Sequence, residues 1–288
     1  MALRGAWFEG TDGTILASTP VAVVAGPDGA DPFAALDALT GDVPWLPADH
    51  AEHAVGGGWI GYLGYRAGRL VERLPEGPSR PAALPDWWLG WYDHILRHDA
   101  ATGWWFEAIV TDERADAIAA RHELLARRLA TAPTGPRPVR CSPFTATPSA
   151  SGHRAAVQRA IELIEAGDIY QANVCLRLEA RLDGSPLDLF ATGCDALAPP
   201  HAAFVDLGGE RAVVSLSPER FLRRVGSAVS SAPIKGTRRR SGDPAADLAA
   251  RRDLVALAKD RAENVMIVDL LRNDLGRVCR WGTVAVPS

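Results

Sequence analysis

Cysteine is scarce and scattered in this chain of 288 residues. Cys141, Cys175, Cys194 and Cys279 form no C-x-x-C pair and have no histidine at ligand spacing. That argues against a zinc site and against a disulfide framework, and it fits a reducing, cytoplasmic setting. Long apolar runs are missing as well. No stretch reaches about 18 uncharged apolar residues, and the opening "MALRGAWFEGTDG" has no apolar core of a signal peptide, so no membrane association is expected. There is no excess of either charge: 31 Lys+Arg stand against 35 Asp+Glu, for a formal charge of -4. Neither a nucleic acid nor an anionic membrane is therefore the expected partner.

What is present is enough chain for one large domain or two ordinary ones, and a substantial core is expected at this length. Up to about residue 130 the sequence is rich in tryptophan and in short apolar runs. "ILASTPVAVVA", "WWLGWYDHIL" and "TGWWFEAIVTD" read as strands bounded by Gly, Pro and Asp, so this part is expected to be mostly β and partly antiparallel. "DERADAIAARHELLARRLA" (112–130) then reads as a helix with Ile118, Leu125 and Leu129 on one face. The Pro-, Ser- and Thr-rich stretch that follows reads as a connection, with a boundary between 131 and 152.

Beyond it, Val157, Ile161 and Ile164 recur at helical spacing and Gly167 is placed to end that helix. "IYQANVCLRLEA" reads as a strand, and three short strand candidates lie between 201 and 235. A helical run of more than thirty residues follows from 244, with Val265, Val268, Leu271, Leu275 and Val278 on one stripe. At least part of that run is expected to be well buried.

Three motifs bear on chemistry. "GGGWIG" (56–61) formally satisfies G-x-G-x-x-G, but no buried parallel strand precedes it and further glycines interrupt the segment where a phosphate-binding helix would begin. Close approach of strands and rings accounts for these glycines better. "KGTRRR" (235–240) lacks the glycine-rich loop of a Walker A motif and the Ser/Thr directly after its lysine. A basic run of this kind is commonly a solvated face. However, "SLSPERFL" lies just upstream, so Glu219 and Lys235 can sit at adjacent strand ends, where a carboxyl and an amine sharing a pocket shift each other's pKa. Asp260 and Glu263 are three apart on one helix face. They suit magnesium better than zinc, or they form surface ion pairs with Lys259 or Arg261.

Taken in order and spacing, "GDIYQANVCLRLEA", "SLSPERFL", "APIKGTRRR" and "KDRAENVMIVDLLRNDLGRVC" resemble the chorismate-utilising family, and within it the aminodeoxychorismate synthase component I type. "GGGWIGYLGYRAGRLVERLP" and "LPDWWLGWYDHIL" are similar to the N-terminal segments of that type, although Arg66 stands where many members have Asp. The resemblance implies an α+β fold with large antiparallel sheets packed as a sandwich and helices outside. It implies a division into an N-terminal region, 1–140, and the first part of a chorismate-binding domain, 141–288.

It also implies roles. Lys235, typical of aminodeoxychorismate synthases where anthranilate synthases usually carry alanine, adds to C2 of chorismate as the C4 hydroxyl leaves, with Glu219 as the general acid. Ammonia, delivered from glutamine by a partner amidotransferase subunit, then adds at C4 and expels the lysine. Backbone amides at Gly236 and Thr237 hold a substrate carboxylate together with Mg2+, for which Glu263 is the best-matched ligand and Asp260 a weaker one. Gln171 stands where water-adding relatives have a lysine base. Family members continue well past "GTVAVPS", so the resemblance implies a chain incomplete at its C-terminus. Two other functions stay open on the sequence: anthranilate formation, and an inactive fragment that only binds a partner.

Overall fold

The computed structural model describes residues 5–10, 13–26, 31–40, 55–75, 84–131 and 135–287. The chain divides into two compact units. The first comprises Met1–Phe8, Asp12–Ala198 and Ala203–Leu216, and the second comprises Glu9–Thr11, Pro199–Ala202 and Ser217–Ser288.

Short apolar runs broken by turn residues make the strands of the first unit. β1 (Gly5–Gly10), β2 (Gly13–Ser18) and β3 (Ala22–Gly26) lead to helix α1 (Pro32–Thr40). "ILASTPVAVVA" is thus two strands, interrupted at Thr19 and Pro20, where Thr19 takes a positive φ of 51°. β4 (Gly58–Leu63), a 3-10 turn (Tyr65–Leu70), β5 (Trp87–Tyr92), β6 (His94–Asp99) and β7 (Gly103–Ala108) follow, then α2 (Ala115–Ala130). β8 (Arg140–Cys141) and β9 (Thr145–Thr147) precede α3 (Ala150–Glu165), and β10 (Arg177–Glu179) and β11 (Leu182–Asp183) precede α4 (Pro186–Leu197). β12 (His201–Gly208) and β13 (Arg211–Ser217) complete a six-stranded sheet in the order β13-β12-β1-β2-β6-β7.

A three-stranded antiparallel sheet, β3-β5-β4, faces it. Between the two sheets Ala6, Ala17, Trp88, Tyr92, Ile95, Val205 and Leu207 form the core, flanked by Phe8, Ile60 and Tyr62. The outer surface of the large sheet is covered by α4, whose buried Phe190 meets Trp7 edge-on at 5.2 Å and lies 5.8 Å from Phe204. This is the α+β sandwich with outer helices.

"GGGWIG" belongs to β4, which pairs antiparallel with β5, Gly61 opposite Leu89. A Cβ at Gly61 would overlap the carbonyl oxygen of Trp88. Close strand approach, not phosphate binding, is what the glycine serves. α2 matches the sequence pattern, with Ile118 and Leu125 buried, although Leu129 is 42% exposed. Gly167 ends α3 with φ +81°, and its amide donates to the carbonyl of Ile164.

Four expectations need correction. The expected connection 131–152 lies inside the first unit and holds β8, β9 and the start of α3; its residues 132–134 lie outside the described ones. "IYQANVCLRLEA" contributes only β10, because the short β9 is the strand it pairs with. The helical run from 244 is two helices, α5 (Pro244–Ala256) and α6 (Ala258–Val278), separated at Leu257, which is extended with ψ 110°. The stripe on α6 is not buried: no residue of that helix is, and Val265 and Val278 are 53% and 80% exposed. Periodicity marks a face able to be buried, and the described residues cover this one only in part, with Val268, Leu271 and Leu275 half-buried.

At the junction of β5 and β6 the first unit holds a polar cluster that pattern reasoning missed. His94 Nδ1 lies 2.7 Å from Asp93 Oδ1, His94 Nε2 lies 2.9 Å from Ser18 Oγ, and Arg114 Nε donates to Asp93 Oδ2 at 2.7 Å. Asp93 and His94 are buried. Burial pulls the His94 imidazole below its usual pKa, against the attraction of Asp93. For Asp93, burial would raise the carboxyl, but hydrogen bonds from His94 and Arg114 outweigh it and hold it below the usual carboxylate range. The sequence signal, an Asp-His pair inside an aromatic strand run, has no distinguishing period.

Candidate active site

The second unit carries most of the residues singled out for chemistry. Its local order begins with Ser217, whose hydroxyl accepts from the Glu219 amide at 3.2 Å and donates to the Glu219 carbonyl at 3.0 Å. Ser and Thr readily make such local side-chain-to-backbone turns, and this one sets the direction of Glu219. The chain then forms the hairpin of β14 (Arg223–Val225) and β15 (Ala228–Ser230), with Arg224 opposite Val229. Ser231 closes it by donating to the Phe221 carbonyl at 2.7 Å. The hairpin carries residues 231–235 back toward Glu219.

The outcome is an indirect link, through the backbone of Ile234, between the two predicted catalytic residues. The amide of Ile234 donates to Glu219 Oε1 at 3.3 Å, and Lys235 Nζ donates to the Ile234 carbonyl at 3.2 Å. Carboxyl and amine therefore flank one residue, Glu219 exposed and Lys235 half-buried. Lys235 lines a cavity of about 480 Å³ with Ile234, Leu254 and Asp260.

Gly236 follows in the left-handed region, φ +76°, and a Cβ there would stand 2.9 Å from Leu254 Cδ1 and 3.0 Å from Asp260 Oδ2. Glycine meets both demands, backbone conformation and space. Thr237 is exposed, and its carbonyl accepts from Arg238 Nη1 at 2.7 Å.

Asp260, in the first turn of α6, is paired with Arg238: Nη2 to Oδ2, 3.3 Å. Neither Lys259 nor Arg261, the partners adjacent in sequence, makes that pair. Glu263, one helical turn on, is half-buried, and its carboxylate has no partner among the described residues. Magnesium takes oxygen ligands and commonly only one or two carboxylates with waters and substrate oxygens. Glu263 fits that requirement, and Asp260 fits it less well because a guanidinium already occupies it. Among the described residues no three His, Cys, Asp or Glu side chains gather in a metal-binding cluster. Gln171 is exposed in the loop after α3 and belongs to the first unit.

Arg240 is tied to α5, its Nε donating to Asp247 Oδ1 at 2.6 Å, and the Ser241 amide donates to the same oxygen at 3.2 Å. The guanidinium, helped by that amide, holds Asp247 below the usual carboxylate range. A basic sequence run thus becomes a braced loop, clamped to α6 by Arg238 and to α5 by Arg240.

A two-sheet α+β sandwich followed by a hairpin, a lysine loop and a helix pair defines the class. The structure superposes on anthranilate synthase component I from Streptococcus pneumoniae with a TM-score of 0.77 at 24% identity, covering 94% of this chain and 62% of that one. The fold is that of chorismate-utilising enzymes, in part.

Residues 6–288 match the family of chorismate binding enzymes, and the chain belongs to it. It is 37% identical over 279 residues to anthranilate synthase component 1 of Streptomyces coelicolor, covering 90% of this chain and 53% of the relative. It is 34% identical over 264 residues to aminodeoxychorismate synthase component 1 of Salmonella typhimurium, covering 90% and 55%. The chain spans about half the length of these curated relatives.

Proposed function

We propose that this chain is the part of an aminodeoxychorismate synthase component I that carries the lysine nucleophile and the general acid, acting on chorismate in the route to para-aminobenzoate and folate. One observation carries the reading: Glu219 and Lys235 are held on the two sides of the Ile234 backbone. In this scheme the neutral Lys235 amine forms a bond to C2 of chorismate, both double bonds of the ring diene shift toward C4, and the C4–O bond breaks. Glu219 protonates the departing oxygen, so that water leaves and not hydroxide. Ammonia, supplied by a glutamine amidotransferase subunit, then bonds to C4. The shift reverses and the C2–N bond breaks, returning the Lys235 amine.

The backbone amides of Gly236 and Thr237 are assigned to a substrate carboxylate. Glu263 is assigned as the magnesium ligand, with Asp260 as the lesser candidate. Bound there, the metal ion would offset the charge of a substrate carboxylate. Gln171 is assigned to the substrate site as a residue unable to activate water.

The cytoplasmic location proposed for the chain requires no disulfide, and the four cysteines, all among the described residues, form none with one another. Among the described residues no helix is long and apolar enough to cross a membrane.

Anthranilate formation is the second reading, favoured by the 37% identity to an anthranilate synthase component. The two separate in one assay on a polypeptide carrying this chain at the relatives' full length, given chorismate, magnesium and ammonium. Aminodeoxychorismate detected by mass is the expected product. Fluorescent anthranilate in its place would overturn the proposal.

A further inference from the structure

The loop after Lys235 and the middle of α5 enclose a second cavity, of about 320 Å³, with Arg238, Arg239, Arg240 and Arg251 in its lining. Two of these guanidiniums are spoken for: Arg238 by Asp260 and Arg240 by Asp247. Arg239 and Arg251 have no carboxylate partner among the described residues. Four positive charges less two carboxylates leave two positive charges on a cavity the size of a small molecule. Like charges on one small concavity repel unless an anion sits between them, and planar guanidinium forks match carboxylate and phosphate oxygens in pairs. Leu254 lines both this cavity and the one that holds Lys235. The two are therefore neighbours, separated by the Arg238–Asp260 pair.

We propose that this arginine-lined cavity is a binding site for a compact dianion, held between Arg239 and Arg251, with Arg238 and Arg240 fixed by their carboxylates as its walls. The required chemistry is two negative charges within a few ångströms of each other, which a small dicarboxylate or orthophosphate supplies. The site is separate from the roles assigned to Lys235 and Glu219 and stands or falls independently of them.

Calorimetric titration of the purified chain with orthophosphate and, separately, with malonate tests it and distinguishes the two sources. Saturable heat with at least one of them is expected, weakening as salt rises because the charges face solvent. Arg239→Gln/Arg251→Gln is expected to weaken that binding at least tenfold. Both side chains are exposed, so the fold should persist, which circular dichroism checks. Arg252→Gln removes a charge from the same helix without touching the cavity lining and should leave affinity within twofold. No saturable heat with either anion, or an equal loss in the Arg252 variant, would overturn the proposal.

Discussion

Glu219 and Lys235 are fifteen and one residues from Ile234, and both are hydrogen-bonded to its backbone, the carboxylate to the amide and the amine to the carbonyl. A shared peptide-backbone anchor fixes the two functional groups relative to each other without a direct ion pair. A direct pair would hold the lysine protonated and the glutamate ionised, the reverse of what a nucleophile and a general acid require.

Lys235→Ala, in a polypeptide of the relatives' full length, is expected to lower aminodeoxychorismate formation more than about a hundredfold while chorismate binding changes by less than about threefold. A nucleophile acts in the transition state, whereas the substrate carboxylates are assigned to other groups. Single-turnover kinetics beside equilibrium binding measures the split. Wild-type turnover would remove the covalent role.

Glu219→Gln keeps the shape and the acceptor for the Ile234 amide but carries no transferable proton. A loss of about 10²–10⁴ in turnover is expected near pH 7, the range typical of a positioned acid. An unchanged rate across pH 6–8 would assign the proton to another group.

Gly236→Ala forces a side chain into the left-handed region and against Asp260 and Leu254. A destabilisation of about 1–3 kcal/mol is expected. Urea unfolding followed by a signal from the second unit, compared with the same substitution at the exposed Gly242, checks it.

The buried pair Asp93–His94 makes the first unit sensitive to acid. His94 has its pKa lowered by folding, so the unfolded chain takes up the proton first. Stability is full above the ordinary histidine value of about 6.5 and falls as pH drops below it. Asp93, also lowered, adds a second loss below the ordinary value near 4. A fall in Tm between pH 7.5 and 5.5 is expected for the native chain. His94→Gln should start lower in stability yet lose most of the slope. The same slope in both would exclude His94 as its source.

Local pattern was enough for much of the first unit. The strands around "WWLGWYDHIL" and "TGWWFEAIVTD", the helix carrying Ile118 and Leu125, and the end of α3 at Gly167 follow from periodicity and turn chemistry acting over a few residues. The residue types at 219, 235, 236, 260 and 263, and the family, were legible for a similar reason: they sit in contiguous motifs.

What the tertiary structure decided are relationships across the sequence. Ile234 as the link between Glu219 and Lys235 required the β14–β15 hairpin to bring 234 back to 219. Asp260 pairs with Arg238 and not with its sequence neighbours, because α6 packs beside the lysine loop. Arg251 joins the arginine triplet through the Arg240–Asp247 clamp on α5. The stripe on α6, half-buried at Val268, Leu271 and Leu275 and exposed at Val265 and Val278, shows the same limit from the other side. A 3.6-residue period states which face of a helix can be buried, but burial needs a partner surface, and that is a property of the assembled chain.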